Sequence, residues 1–184
     1  MFDGWEAAHC CIDRKWANLL GYRRSFNKKS VERRGTAKFP GLTLNLVPAE
    51  FATCRGVAFQ FEDNDRAEEL LRLLARREGC KRRELPVLID GGSAVKAWVY
   101  IYLGKNLIDE KTPPTKRAVM VLKAKGTRGC NFDYVEMIFE GLGSVGIDDP
   151  AVSEFWRIVQ EQSERTKNDG QVVKRQVRRY PETN

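Results

Sequence analysis

A glutamate at the end of an amphipathic segment is the residue of this sequence best suited to acid–base chemistry. Residues 65–79 (DRAEELLRLLARREG) predict one helix with apolar side chains at helical spacing and Gly79 as its stop. On the helical wheel Glu78 falls within about 40° of Leu71 and Leu74. A carboxylate that faces this way, at the negative end of the helix dipole, is expected to have a raised pKa, as a general base near neutral pH requires.

The same segment allows a second interpretation of this glutamate. The last helical turn would fray, and Glu78 would point to water and pair with Arg77 or Lys81. Periodicity alone favours this second interpretation, because charged residues are seldom buried. At the other end of the helix, Asp65 is expected as N-cap, with Glu68 completing a capping box.

Length and composition indicate one globular domain with an ample core. The chain has 184 residues, 42% of them hydrophobic, and a net charge of +7 from 32 basic and 25 acidic residues. This positive charge is compatible with an anionic ligand. It also fits a solvated basic surface, because the acidic residues are interspersed among the basic ones.

The cysteines and the single histidine exclude several classes of site. Five cysteines without a C-x-x-C pair indicate neither a disulfide framework nor a zinc site, and they favour reduced thiols in the cytoplasm. His9 is the only histidine, which argues against a multi-histidine metal site and against a Ser-His-Asp triad unless His9 fills it. We expect no transmembrane helix, because no run of about 18 apolar residues exists, and no secretory signal.

The order of the predicted elements indicates an α+β protein, in which most strands precede most helices. Strands are predicted at residues 16–26, 42–47, 53–61, 86–89 and 95–103. Gly21 marks a bend or bulge in the first of them. The second and third are joined by the short connection 48–52, so we expect them to form an antiparallel hairpin.

A basic loop is predicted at residues 27–40, after the first strand. Three further helices are predicted in the second half of the chain. One covers residues 116–125 and stops at Gly126, although its β-branched residues leave a strand open. The next is capped by Asn131, and the last begins with Asp149 as N-cap and Pro150 behind it. We expect one domain over residues 1–160 and a basic C-terminal tail over residues 161–184.

A series of short sequence blocks lies in order between about residues 16 and 160. They are residues 21–26 (GYRRSF), 34–36 (RGT), 40–42 (PGL), 55–59 (RGVAF), 74–78 (LARRE), 97–100 (AWVY), 126–135 (GTRGCNFDYV), 142–143 (LG) and 146–150 (GIDDP). Each block alone is a weak signal. In this order and spacing, together they resemble the ChaC-like γ-glutamylcyclotransferases.

The resemblance implies a small mixed β-barrel flanked by helices, and an acid–base enzyme that uses no metal or nucleotide cofactor. Members of this family release 5-oxoproline from a γ-glutamyl substrate, usually glutathione, which also yields Cys-Gly. The family's catalytic glutamate falls on Glu78. Tyr100 and Tyr134 match the family's tyrosines, which would bind the substrate or line its cavity; both equally fit core positions.

The start of the chain departs from the family pattern. The family begins with a strand and a Tyr-Gly-Ser-Leu loop that holds the substrate, and residues 1–5 would align just after that loop, so we expect both to be missing. This departure leaves open a non-catalytic relative that binds a γ-glutamyl ligand or a protein partner. The expected partner is a small γ-glutamyl molecule, with no membrane partner, and the oligomeric state is left open.

Basic segments raise a third hypothesis, that the protein binds nucleic acid. Lysines and arginines cluster at residues 28–38 and 174–179. No recognised nucleic-acid fold signature accompanies them, so no nucleic-acid partner is expected.

Overall fold

Most of the first half of the protein forms a curled antiparallel sheet. The computed structural model describes residues 11–168; His9, the rest of residues 1–10 and residues 169–184 of the predicted tail lie outside the described residues. The sheet has the order β2-β1-β3-β4, with β1 at Cys11–Ser30, β2 at Gly41–Phe61, β3 at Lys81–Ile89 and β4 at Ala94–Ile101. Every described pairing is antiparallel.

Four helices complete the described part of the chain and confirm the α+β class. They are α1 at Asp65–Glu78, α2 at Pro114–Lys123, α3 at Asn131–Ser144 and α4 at Pro150–Asn168. A two-stranded ribbon of β5 (Lys125–Gly126) and β6 (Gly129–Cys130) connects α2 to α3. Among residues 11–168, no helix combines the length and the apolar character needed to cross a membrane.

The predicted hairpin between residues 42–47 and 53–61 is wrong, because both segments belong to the one strand β2. Both halves pair with β1: Tyr22 lies opposite Pro48, and Leu20 lies opposite Thr53. The connection between the halves therefore leaves the sheet as a bulge and rejoins the same partner strand. Gly21 lies opposite this bulge with φ 75°, which confirms the bulge predicted at that glycine.

Several predicted boundaries also differ from the structure. β1 continues to Ser30, so residues 27–30 are strand rather than basic loop, and β3 begins at Lys81 rather than at residue 86. The long strands β1 and β2 pair from end to end, so their polar ends are strand although their sequence alone favours a loop. Helix α4 continues to Asn168, so residues 161–168 at the start of the expected tail are helical.

Two predicted caps lie elsewhere. The N-cap of α1 is Asn64, whose side chain accepts a hydrogen bond from the Ala67 N–H at 3.1 Å, rather than Asp65. Asn131 is the first residue of α3 and does not cap it. In contrast, the Asp149 carboxylate accepts from the N–H groups of α4's first turn, as predicted.

The main core lies between helices α2–α4 and the end of the sheet where β1 and β2 are joined. The predicted apolar face of α4 is buried there; its members are Val152, Phe155, Trp156 and Val159. Phe26 of β1 stacks on Phe155 at 4.8 Å between ring centres. The Arg24 guanidinium donates to the Asp149 carboxylate at 2.7 Å, so a partly buried ion pair ties β1 to the start of α4.

Helix α3 covers the free edge of β2. Leu42 and Asn131 are both fully buried. The Asn131 amide accepts from the Leu42 N–H at 2.6 Å and donates to the Leu42 carbonyl at 2.8 Å. One turn along the helix, the Tyr134 hydroxyl accepts from the Leu44 N–H at 3.2 Å. Backbone groups that β1 does not reach are thus paired with side chains, as burial requires.

The sheet curls far enough for its two outer strands to meet. Asn45 of β2 accepts a hydrogen bond from the Tyr102 N–H at 2.9 Å and donates to the Tyr102 carbonyl at 3.1 Å. Tyr102 directly follows β4, the opposite outer strand. Asn45 also donates to the side chain of Asn27, so this amide links β2, β1 and the end of β4.

Removing the two hydrogen bonds between the Asn131 amide and the Leu42 backbone is expected to destabilise the protein strongly. We expect Asn131→Ala to lower the free energy of unfolding by about 3 kcal/mol, because it leaves a buried N–H and a buried C=O unpaired. Asn64→Ala, which removes the α1 cap, is expected to cost about 1 kcal/mol. Chemical denaturation measures both, and an equal loss in the two variants would contradict the assigned role of Asn131.

Candidate active site

The C-terminal turn of α1 places Glu78 three residues before the start of β3. Leu70, which is 3% exposed, anchors the helix, while Leu71, Leu74 and Glu78 are half-buried. Gly79 adopts φ 58° and its N–H donates to the Ala75 carbonyl, which confirms the predicted stop. Glu78 is therefore the last helical residue.

A lysine from β1 contacts the end of this helix. The Lys28 ammonium donates to the Glu78 carbonyl oxygen at 2.8 Å and lies 4.7 Å from the centre of the Tyr102 ring. The carbonyl groups of a helix's last turn have no partner within the helix. Lys28 satisfies one of them and brings a positive charge to the negative end of the dipole.

Tyr100 reaches the same helix from β4. Its hydroxyl donates to the Leu71 carbonyl at 3.3 Å. Burial raises the pKa of the Tyr100 phenol, and the nearby Arg82 guanidinium opposes that shift. The charges of Cys80 and Glu78 raise the pKa further, so both groups lie within electrostatic range of this phenol.

Tyr134 approaches from α3 on the other side. The Arg34 guanidinium lies 5.3 Å from its ring centre. Burial raises the pKa of the Tyr134 phenol; the hydrogen bond from Leu44 and the charge of Arg34 lower it, and the charge of Glu78 raises it. Both phenols, from β4 and α3, therefore lie within electrostatic range of Glu78 at the end of α1.

Cys80 lies beside them, half-buried, one residue beyond the helix stop. Burial raises the pKa of its thiol, the charge of Lys28 lowers that pKa, and the charge of Glu78 raises it. Lys28 and Glu78 thus act with opposite sign on one group. This agrees with a carboxylate and an ammonium that both lie near the end of α1.

Sequence reasoning did not single out Lys28, Arg34 or Cys80 as members of this site. Lys28 and Arg34 fall in the basic segment 27–40, where a run of charge is more typical of a solvated surface. The missed signal is the length of β1: once the strand is extended to Ser30, Lys28 becomes a half-buried strand residue.

Two of the sequence blocks meet beside Tyr134. The Arg34 guanidinium donates to the Arg128 carbonyl at 2.7 Å, and the Arg128 N–H donates to the Arg33 carbonyl at 2.8 Å. A Cβ added at Gly126 would overlap the Arg33 backbone, so only glycine allows this approach. The contact holds the Arg34 side chain over the Tyr134 ring.

A separate cavity of about 330 Å³ lies between the end of α3 and the start of α4. Leu142, Ile147 and Val152 contribute to its largely apolar lining. Glu78, Tyr100 and Tyr134 do not line this cavity. In residues 11–168, no group of three or more His, Cys, Asp or Glu side chains is arranged to hold a metal ion.

Comparison with known proteins identifies relatives over most of the chain. A family model described as ChaC-like protein matches residues 4–162. Gamma-glutamylcyclotransferase 2-3 of Arabidopsis thaliana is 32% identical over 149 residues, which cover 74% of each chain. The glutathione-specific gamma-glutamylcyclotransferase of Escherichia coli is 27% identical over 82% of this chain and 66% of its own length, just under two thirds.

Solved structures show the same fold. Two crystal structures of a yeast γ-glutamylcyclotransferase specific to glutathione superpose with TM-scores of 0.75 and 0.71. They cover 84% and 83% of this chain and 90% and 91% of theirs, at 18% sequence identity. At that identity the superposition supports the architecture of sheet and helices, not a shared substrate.

The charge relation between Glu78 and Cys80 is directly testable. Glu78→Gln removes a negative charge that raises the pKa of the Cys80 thiol, so the thiolate fraction at pH 8 should rise. We expect iodoacetamide to modify Cys80 about twofold faster in this variant, because the thiolate is the reactive form. Peptide-resolved mass spectrometry distinguishes Cys80 from the other cysteines.

Glu84→Gln on β3 is the matched control, since Glu84 is partly exposed and pairs with Lys96 at 3.4 Å. Its modification rate at Cys80 should equal that of the parent. An unchanged Cys80 rate in Glu78→Gln would show that the Glu78 carboxylate does not act on this thiol.

Proposed function

Because this chain belongs to the ChaC-like protein family, we propose that it is a γ-glutamylcyclotransferase, a lyase that converts glutathione to 5-oxoproline and Cys-Gly. The observation that carries the proposal is the 32% identity to a protein named as a γ-glutamylcyclotransferase over 74% of both chains. Glutathione is proposed as substrate because the bacterial relative is named as specific to it. The four cysteines that the structure describes form no disulfide with one another, and within the same proposal we place the protein in the cytoplasm.

We propose Glu78 as the group that moves protons in this reaction. Its carboxylate takes a proton from the substrate's α-ammonium, and the resulting amine attacks the γ-carbonyl carbon. The C–N bond to the cysteine residue then breaks as the departing nitrogen receives a proton from Glu78. Of the three ammonium protons, one stays on the lactam nitrogen, one reaches the departing nitrogen, and one goes to solvent or to the released amine.

Intramolecular attack explains why so few groups are needed. The nucleophile and the carbonyl belong to the same γ-glutamyl chain, so holding that chain curled supplies much of the rate enhancement. The reaction forms no covalent bond to the enzyme. A single acid–base group with supporting hydrogen bonds is therefore a sufficient set of reactive side chains.

The tyrosines have complementary hydrogen-bonding capacity for such a substrate. Tyr134 accepts from Leu44, which leaves its own O–H hydrogen for a carbonyl or carboxylate oxygen. Tyr100 gives its hydrogen to Leu71, which leaves an oxygen lone pair for the α-ammonium. This supports a substrate-binding role in addition to packing. Arg34 and Arg82 supply positive charge suited to the two carboxylates of glutathione.

Removing the proposed base tests the function first. We expect the parent chain to release 5-oxoproline from glutathione and Glu78→Gln to be slower by about 100-fold or more, because an amide cannot accept the ammonium proton. Glu69→Gln, an exposed position on the same helix, is the matched control and should retain the parent rate. Chromatographic detection of 5-oxoproline and Cys-Gly together measures the reaction.

Three outcomes have different meanings. A parent that is active on another γ-glutamyl amine, but not on glutathione, would overturn the substrate and retain the reaction class. A parent that binds glutathione and releases no 5-oxoproline would favour the non-catalytic alternative. A Glu78→Gln variant as active as the parent would remove Glu78 as the base.

Tyr134→Phe separates substrate binding from packing. The phenylalanine keeps the ring and removes the acceptor of the Leu44 N–H, so we expect about 1 kcal/mol of lost stability. If the hydroxyl also binds substrate, kcat/KM for glutathione should fall about 10-fold. Steady-state kinetics and thermal unfolding of the same preparation measure the two effects. A stability loss with unchanged kcat/KM would assign Tyr134 to the core alone.

A further inference from the structure

We propose that Lys28 is a positioning residue: it holds the C-terminal turn of α1 against the sheet and thereby fixes the place of Glu78. The inference rests on the proposed role of Glu78 as proton-transfer group. Lys28 itself moves no proton in this scheme. It acts through the main chain of the residue that does.

The first support is the contact to the helix end. The Lys28 ammonium lies 2.8 Å from the carbonyl oxygen of Glu78, the residue that carries the proposed base. Gly79 turns the chain away directly afterwards with φ 58°. A hydrogen bond to this carbonyl restrains the peptide that joins helix and turn, and so restrains the Cα–Cβ direction of Glu78.

The second support is that Lys28 is itself held on both sides. On the main chain, the Thr43 hydroxyl donates to the Lys28 carbonyl at 3.2 Å, and an isolated bridge joins Lys28 to Leu107. Its ammonium also lies 4.7 Å from the centre of the Tyr102 ring, an attractive arrangement for a cation. The Lys28 main chain is therefore held in the sheet, and its ammonium lies between the Glu78 carbonyl and the Tyr102 ring.

The third support is charge. Glu78 carries a negative charge at the negative end of a helix dipole, which is unfavourable for the helix end. Lys28 brings a positive charge to that place. The two residues shift the thiol of Cys80 in opposite directions, as nearby charges of opposite sign do.

The test compares three variants of the full chain. Lys28→Met removes the donor and the charge while keeping an unbranched apolar stem, and Lys28→Arg restores both. Lys29→Met, one position along β1, is the matched control, because successive strand residues point to opposite faces. The measurements are kcat and KM for glutathione and amide hydrogen exchange at residues 75–80.

We expect Lys28→Met to lower kcat about 10-fold while KM changes less than about twofold, because a displaced base slows the chemical step more than binding. Exchange should accelerate at residues 75–80 and remain unchanged in the sheet. Lys28→Arg should recover most of kcat, and Lys29→Met should match the parent in both measurements.

Several results would overturn the proposal. Lys28→Met with parental kcat would do so, as would unchanged exchange at residues 75–80, or exchange that accelerates throughout the sheet. If the parent releases no 5-oxoproline, the proposed function fails. In that case the amide hydrogen exchange rates at residues 75–80, compared between Lys28→Met and Lys29→Met, decide whether Lys28 anchors the helix end.

Discussion

The amide of Asn131 paired with the backbone of Leu42 is the interaction on which the rest of the structure depends. Both residues are fully buried, and one side chain supplies the donor and the acceptor that the outer edge of β2 needs. Buried polar groups without partners cost about 1–3 kcal/mol each, so the edge and the helix are stable only together. The same contact sets the register that places Tyr134 on Leu44.

The position of the proposed site around Glu78 depends on how the sheet and helices are arranged and on the charges at the end of α1. The residues around Glu78 come from elements far apart in the chain, and only the curl of the sheet brings β1, β4 and α3 to the end of α1. A helix dipole disfavours a terminal carboxylate by about 0.3–1 kcal/mol, whereas hydrogen bonds that involve a charged group contribute about 1.5–3 kcal/mol. The contact from Lys28 therefore outweighs the dipole, and an acid at this helix end is tolerated.

Local patterns predicted the elements well and their partners poorly. Residues 65–78 form the expected helix and Gly79 ends it, because apolar spacing and a left-handed stop are local signals. The hairpin predicted within β2 failed because strand pairing is a long-range choice that alternation does not encode. Asn131 fits a helix cap by type, yet its amide serves a strand 89 positions away, which is visible only in three dimensions. Lys28 was missed because the first strand was predicted to end at residue 26, which left this lysine in a loop.

Because of the bulge in β2, the number of residues in this strand can change without a change in its pairing register with β1. Residues on both sides of it are paired with β1, while Phe51 at its tip is 95% exposed and adopts φ 61°. Extra or missing residues at this point would change the size of the protrusion and leave the pairing on either side intact. The structure thus contains a natural insertion point, where a fluorophore or an affinity peptide can be carried without displacing a strand.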